Sequence, residues 1–150
     1  MEMTAAAVLI PQIAGYTFEV AANLADPATR ARLSPAAFKA FLRIMQQWGI
    51  KDPDARELLG GASSGWFYQV KSLKGKRALS QDMLTRISLL IGTYKALNIL
   101  YSRKLADAWM TLANSNPMFG GLTPLEYIKR RGQPGMISVR QLLDARRGGQ

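Results

Sequence analysis

The chain has 150 residues, 48% of them hydrophobic, with 20 Lys+Arg against 10 Asp+Glu and a net charge of +10. This length and apolar content suit one compact unit, or two small ones sharing a core, and argue against wholesale disorder; the basic excess favours a polyanion or an acidic protein as partner, beside the plainer reading of a protein that is simply basic. With no Cys and no His, disulfides, Cys/His zinc sites and Ser-His-Asp or Cys-His catalysis are all excluded.

Residues 1–33 read as an N-terminal arm, irregular or partly helical, broken at Pro11, Gly15 and Pro27. Gly15 to Val20 fits a short strand or a turn of helix equally well. The apolar start lacks a basic leader and is cut by Pro11, which makes a poor signal peptide. No apolar run approaches the ~20 residues that span a bilayer. The expectation is a cytoplasmic protein with no membrane partner.

The next elements are helical. Ser34 reads as an N-cap with Pro35 at the first helical position. Phe38, Phe41, Leu42, Met45 and Trp48 follow at spacings of three and four, forming one apolar stripe that Gly49 ends. Asp52 and Pro53 start a short helix that Gly60-Gly61 closes. Ser63 or Ser64 caps a segment through Leu73, and Lys74-Gly75-Lys76-Arg77 follows as a basic turn. Ser80 caps the expected longest helix, Gln81 to about Tyr101, in which Gly92 permits close helix crossing. Arg103 to Ala113 is a further helix with Leu105, Ala106, Trp109 and Leu112 as its stripe. Asn116 to Tyr127 then packs a tight turn, a glycine pair and a helix start together, with Met118 and Phe119 among the turn residues. Thr123 and Glu126 form a capping box, with Pro124 at the first helical position and Gly132 as the stop. Gln133-Pro134-Gly135 reads as a loop, Ser138 and Gln141 as a second capping box, and Arg146 to Gly149 as a basic, flexible end. No period-2 run is convincing, so the fold class is all-α.

Asp52 to Leu73 has the outline of a helix-turn-helix, in which the first helix braces the backbone and the second enters the major groove. On that reading Ser63, Ser64, Tyr68 and Gln69 reach phosphates or base edges, while Lys71, Lys74, Lys76 and Arg77 supply phosphate-neutralising charge. The competing reading is an ordinary helix pair packed by Trp66, Phe67 and Val70. Gly65 weakens the second helix by ~1 kcal/mol relative to Ala, and no Arg or Lys occurs between Arg56 and Lys71. The ten carboxylates form no convincing acid–base pair. No catalytic residue, metal ligand or cofactor is expected.

Several of these segments together resemble the antitoxins of the MbcA/ParS/Xre type, which pair with toxins of the RES-domain type. The matching residues are Trp48-Gly49-Ile50, Leu58-Leu59-Gly60, Arg77-Ala78-Leu79-Ser80, Arg86 to Gly92, Tyr94-Lys95-Ala96-Leu97 and, most strongly, the turn from Asn116 to Leu125. The resemblance covers about residues 40–147. It implies a helical bundle with a helix-turn-helix DNA-binding domain over 34–101 and a toxin-binding domain over 102–150. The implied partners are a RES-type toxin that consumes NAD+, and operator DNA through which the operon is autorepressed. A homodimer within a larger hetero-oligomer follows from two-fold operators. The expected toxin contacts are Asn116, Pro117, Met118, Phe119, Gly120, Gly121, Thr123, Tyr127, Arg140, Arg146 and Arg147, with Met118 and Phe119 filling a pocket and a terminal arginine competing with the cofactor. The chain departs from the resembled pattern at Ser63-Ser64-Gly65, where relatives often show Ser-Arg and further basic residues. The alternative functions are a stand-alone repressor whose C-terminal helices only dimerise, and a helical adaptor without a DNA role.

Overall fold

The first helix, α1, runs from Pro27 to Trp48 in the computed structural model, which describes residues 22–74 and 76–148. The open strand-or-helix question at Gly15 to Val20 lies outside those residues, as does Gly75 of the basic turn. The expected start of α1 at Ser34 is corrected. Asp26 caps the helix, its carboxylate accepting from the Thr29 amide at 3.1 Å and the Thr29 hydroxyl at 2.8 Å. Those two bonds hold the Asp26 carboxyl below its ordinary range. Asp26-Pro27 is as good a start signal as Ser34-Pro35, and the intervening Ala, Arg and Leu are strong helix formers. Pro35 therefore lies inside the helix, where it lacks the N–H that would bond the Ala31 carbonyl. Ser34 is an interior tether. Its buried hydroxyl donates to the Arg30 carbonyl at 2.6 Å and accepts from the Leu79 amide at 2.8 Å. Gly49, left-handed at φ 67°, ends the helix as expected.

The remaining helices are α2 (Asp52–Leu58), α3 (Ser64–Ser72), α4 (Gln81–Leu100), α5 (Arg103–Ala108), α6 (Pro124–Arg131) and α7 (Gln133–Arg147). Short 3-10 turns occur at Trp109–Thr111 and Pro117–Phe119, and no strand occurs among the described residues. At 20 residues α4 is shorter than α1 at 22, so the expected longest helix is second among the described residues. It is nevertheless the centre of the bundle, packing against α1, α5 and α7. One core serves all the helices: Phe38, Phe41 and Trp48 from α1, Phe67 from α3, Ile87 and Leu97 from α4, Phe119 from the turn, and Val139 and Leu143 from α7.

Three further expectations change. Lys51, without a side-chain bond, stands at the N-cap of α2, and Asp52 is already helical. The helix from Arg103 is α-helical only to Ala108, and Leu105 and Leu112 face solvent while Ala106, Trp109 and Met110 turn inward. The loop at Gln133-Pro134-Gly135 is the first turn of α7, and the Ser138 hydroxyl bonds the Pro134 carbonyl instead of capping. Pro134 there begins a helix rather than marking a loop, because proline in a first turn loses no needed N–H. Gly135 is buried, and a β-carbon on it would stand 2.7 Å from the Arg131 β-carbon. A glycine at this place lets α7 fold back directly onto α6.

Candidate functional site

Two regions carry the residues singled out by the sequence. The first is α2–α3. Gly60 and Gly61 take φ of 102° and 91°, which lets the chain reverse within a few residues. Ser63, not Ser64, is the cap of α3, accepting from the Trp66 amide at 3.1 Å. Phe67 and Val70 are buried and Trp66 is half-buried against the core, which uses their rings and methyls for packing. Ser64, Tyr68, Gln69 and Ser72 are left facing solvent.

Much of that face is internally paired. The Tyr68 hydroxyl donates to Asp52 at 2.9 Å, and Lys71 lies 3.7 Å from the same carboxylate. The carboxylate, as hydrogen-bond acceptor and as nearby charge, raises the Tyr68 phenol above its ordinary pKa. Lys71 also stands over the Phe67 and Tyr68 rings, at 5.3 and 5.4 Å from their centroids. Gln69 accepts from Arg77 at 2.7 Å. Lys74 takes a left-handed φ of 55°, and it, Lys76 and Arg77 are exposed. Asp52, which ties α3 to α2, was not foreseen in this role; an acid one residue before a helix proline reads as a cap.

The second region is the Asn116 turn and the helices after it. The Asn116 side chain accepts from the Met118 amide at 2.9 Å, and Asn114 accepts from the Asn116 amide at 2.9 Å. Pro117–Phe119 forms one 3-10 turn, closed by left-handed Gly120 and Gly121 at φ 58° and 88°. The Thr123–Glu126 capping box is present, at 3.1 and 3.4 Å. The turn is thus rigid, but it points its ring inward. Phe119 is 1% exposed and stands edge-on to Trp109 at 6.0 Å and Tyr127 at 5.2 Å. Tyr127 is buried as well. Met118 is half-buried against the core, whereas Pro117, Gly120 and Gly121 are exposed. Phe119 in this position fills the protein's own core and leaves no ring surface for a partner pocket.

The arginines of α7 are held, not loose. Helix α7 continues through Arg147, so the expected flexible end is helical to that residue. Arg146 donates to the Tyr101 hydroxyl at 2.9 Å. Asp144 lies 3.2 Å from Arg140 and 3.8 Å from Arg147. The Arg140 guanidinium lies directly over Gly92, where any β-carbon would collide with it. The close crossing read from Gly92 is therefore a seat for an arginine of α7.

A polar seam joins the two regions. Lys129 of α6 reaches Asp54 at 2.7 Å and Glu57 at 3.3 Å on α2. The Asp54 hydrogen bond raises the Lys129 ammonium above its ordinary value. Asp82 of α4 binds Arg86 at 2.8 Å and accepts from Gln133 at 3.0 Å. These groups border a cleft of about 240 Å³ lined by Gly60, Gly61, Arg86, Lys129 and Gly132. Sequence reading missed the seam because its partners lie as far as 75 residues apart.

Residues 96–149 match the antitoxin Xre/MbcA/ParS C-terminal toxin-binding domain. The whole described fold after α4's last turn falls inside that match. The chain belongs to the Xre/MbcA/ParS antitoxin family. It is also 32% identical over 125 residues to a protein of Sinorhizobium fredii (strain NBRC 101917 / NGR234), "Uncharacterized protein y4oB", covering 83% of this chain and 94% of the relative. No solved structure matches it. The partner of an antitoxin's toxin-binding domain is a toxin, and in this antitoxin the Asn116 turn, α6 and α7 all lie in that domain. Among the described residues no helix is long and apolar enough to cross a membrane.

Proposed function

We propose that this antitoxin neutralises a RES-domain toxin that degrades NAD+, by laying its C-terminal helices over the entrance to the toxin's active site. The supporting observation is the row of arginines on α7, placed by Gly92, Asp144 and Tyr101 inside the toxin-binding domain. Of the three, Arg147 has the lightest internal engagement, a single long contact to Asp144 at 3.8 Å. It is the guanidinium we assign to the toxin's mouth. Arg140 and Arg146 instead fix the angle of α7. Chemistry then belongs wholly to the toxin, and the antitoxin acts by occlusion.

On the same reading the α2–α3 unit binds operator DNA, as a homodimer within a larger hetero-oligomer, and represses the operon. Ser64, Tyr68 and Gln69 face the groove, and Lys74, Lys76 and Arg77 neutralise phosphates. The pairing of Tyr68 and Lys71 with Asp52 supports phosphate contact from Lys74, Lys76 and Arg77 ahead of Lys71.

The test is co-expression with the adjacent gene product, purification, mass measurement and an NAD+-consumption assay. A stable complex with suppressed NAD+ loss is expected, and Arg147→Ala is expected to restore NAD+ loss while the complex persists. Unchanged inhibition by Arg147→Ala and by truncation after Asp144 rejects arginine entry. Failure to copurify rejects the toxin assignment. Promoter binding that weakens steeply with salt is expected for the DNA role; salt-independent or absent binding rejects it.

A further inference from the structure

The outer face of α1 holds two exposed cations, Lys39 and Arg43, that meet no carboxylate among the described residues. Arg32, Ala36, Lys39, Arg43 and Gln46 follow one another at steps of four, three, four and three, and all five are exposed. That spacing puts them on one side of the helix. The other side is core: Phe38, Phe41, Met45 and Trp48 are buried there, and α4 packs against α1. Phe38 also meets Phe67 of α3, with ring centroids 6.0 Å apart. The charged face is therefore turned away from the core that α3 and α4 share with α1, and it is distinct from the solvent-facing side of α3.

Other helices place a carboxylate one turn from a cation: Asp82 for Arg86 at 2.8 Å, Asp107 for Arg103 at 4.0 Å and Asp144 for Arg140 at 3.2 Å. On α1, Lys39 has Arg43 in that place, a like-charged pair that disfavours the helix. No Asp or Glu occurs anywhere from residue 27 to residue 51. An anionic partner relieves that repulsion. The chemistry of the face says which kind. A protein groove or a membrane surface is gripped through buried aromatic and aliphatic anchors, and this face offers only Ala36. Phosphates ask for cations and amide donors, which Lys39, Arg43 and Gln46 supply. From Lys39 to Gln46 the face runs about 10 Å, room for several phosphates of one strand at ~3.4 Å each.

We propose that Lys39 and Arg43 form a phosphate-binding face for duplex nucleic acid, separate from α3 and indifferent to sequence. It goes beyond the operator reading of α2–α3 and stands or falls apart from it. A face of this kind holds duplex near the protein without choosing a sequence, since its attraction comes from counterion release along the backbone.

The test measures binding of the full chain to a random-sequence DNA duplex by fluorescence anisotropy across a salt series. The background variant carries Lys74→Gln, Lys76→Gln and Arg77→Gln, which strips the basic turn after α3. It is expected to keep salt-dependent duplex binding. Adding Lys39→Gln and Arg43→Gln is expected to weaken that residual binding about 10-fold or more at low salt. The slope of log affinity against log salt is expected to flatten by about 0.9 for each lost contact. Adding Lys104→Gln and Arg130→Gln instead removes the same charge from exposed positions elsewhere, and is expected to leave the slope unchanged. Glutamine suits an exposed helix position, so every variant is expected to fold, with circular dichroism as the check. The inference is overturned if the background variant binds no duplex, if the Lys39 and Arg43 changes leave its slope unchanged, or if the charge control loses as much. Anionic phospholipid vesicles that bind this face as tightly as the duplex overturn it too, since the face then serves a membrane. The operator reading has its own readout, the preference for promoter over random duplex. A background variant that keeps the full preference of the unaltered chain rejects the phosphate contacts assigned after α3 and leaves the α1 face standing.

Discussion

Helices α2–α3 and the segment from α5 to α7 treat their surfaces in opposite ways. On α3 the exposed side chains are polar and occupied: Tyr68 and Lys71 on Asp52, Gln69 on Arg77. A ligand of that face competes with internal bonds that solvent already screens. From α5 to α7 the interior is locked by Trp109, Phe119 and Tyr127, and the exterior keeps the paired arginines of α7. A ligand there meets a surface with little entropy left to lose. The first design suits a contact tuned by salt and by exchange of partners. The second suits a long-lived complex.

The largest expected effect comes from emptying the aromatic lock. Phe119→Ala should cost about 3–5 kcal/mol, the usual range for a buried phenylalanine. Denaturant unfolding checks it. If the variant keeps its stability, the segment is not the rigid half, and the contrast fails. Gly135→Ala comes next. Its β-carbon would stand 2.7 Å from the Arg131 β-carbon, which is anchored to backbone and cannot swing away. The overpacking cost of about 1–3 kcal/mol exceeds the helix propensity gained from alanine. Gly92→Ala meets instead the far end of the Arg140 side chain, which can turn aside where a β-carbon cannot. Its stability should change by less than about 1 kcal/mol, because alanine's helix propensity offsets the displaced contact. Toxin inhibition is its sensitive readout, since α7 loses a seat.

How much of this was legible depended on how local each signal was. The Thr123–Glu126 box, Gly49 and Gly132 are decided within one helical turn, and the sequence shows them directly. Ser34-Pro35 misled because a start signal reads the same inside a longer helix; only the Leu79 amide, 45 residues away, gives Ser34 its task. Phe119 read as an anchor because turn chemistry asks for no aromatic there, yet its reason is the pair of rings at Trp109 and Tyr127. Half of the stripe read on the helix from Arg103 is core: Ala106 and Trp109 are buried, Leu105 and Leu112 are exposed. Leu105, Ala106, Trp109 and Leu112 would share one face of a helix running to Ala113, but the α-helix ends at Ala108, a 3-10 turn follows, and Leu112 is extended.

Ser34→Ala sharpens the comparison on the N-terminal side. It removes the acceptor of a buried amide that leads from α3 into α4. The orphaned N–H should cost about 1–3 kcal/mol. Equilibrium unfolding gives the number, and a neutral result would mean that water reaches the Leu79 amide.

The smallest effect is the most specific to α3. The Tyr68 phenol is held protonated by Asp52, so its folded pKa lies above the unfolded one. A group shifted upward stabilises the fold fully below the unfolded pKa and loses that contribution as pH rises through the folded one. Stability should therefore decline above about pH 10, where free tyrosine begins to ionise. Lys129, raised by Asp54, releases its proton in the same alkaline window and adds to the decline in the same sense. Asp52→Asn isolates the tyrosine part: an ultraviolet titration should show one phenol returning toward its ordinary pKa. Because the pair is exposed and solvent-screened, folding stability near neutral pH should change little. Promoter affinity should rise, since removing Asp52 deletes a negative charge from the proposed phosphate-facing surface and frees Lys71. If affinity falls instead, the internal bond presents Tyr68 to DNA rather than withholding it, and the face of α3 is preset as the arginines of α7 are.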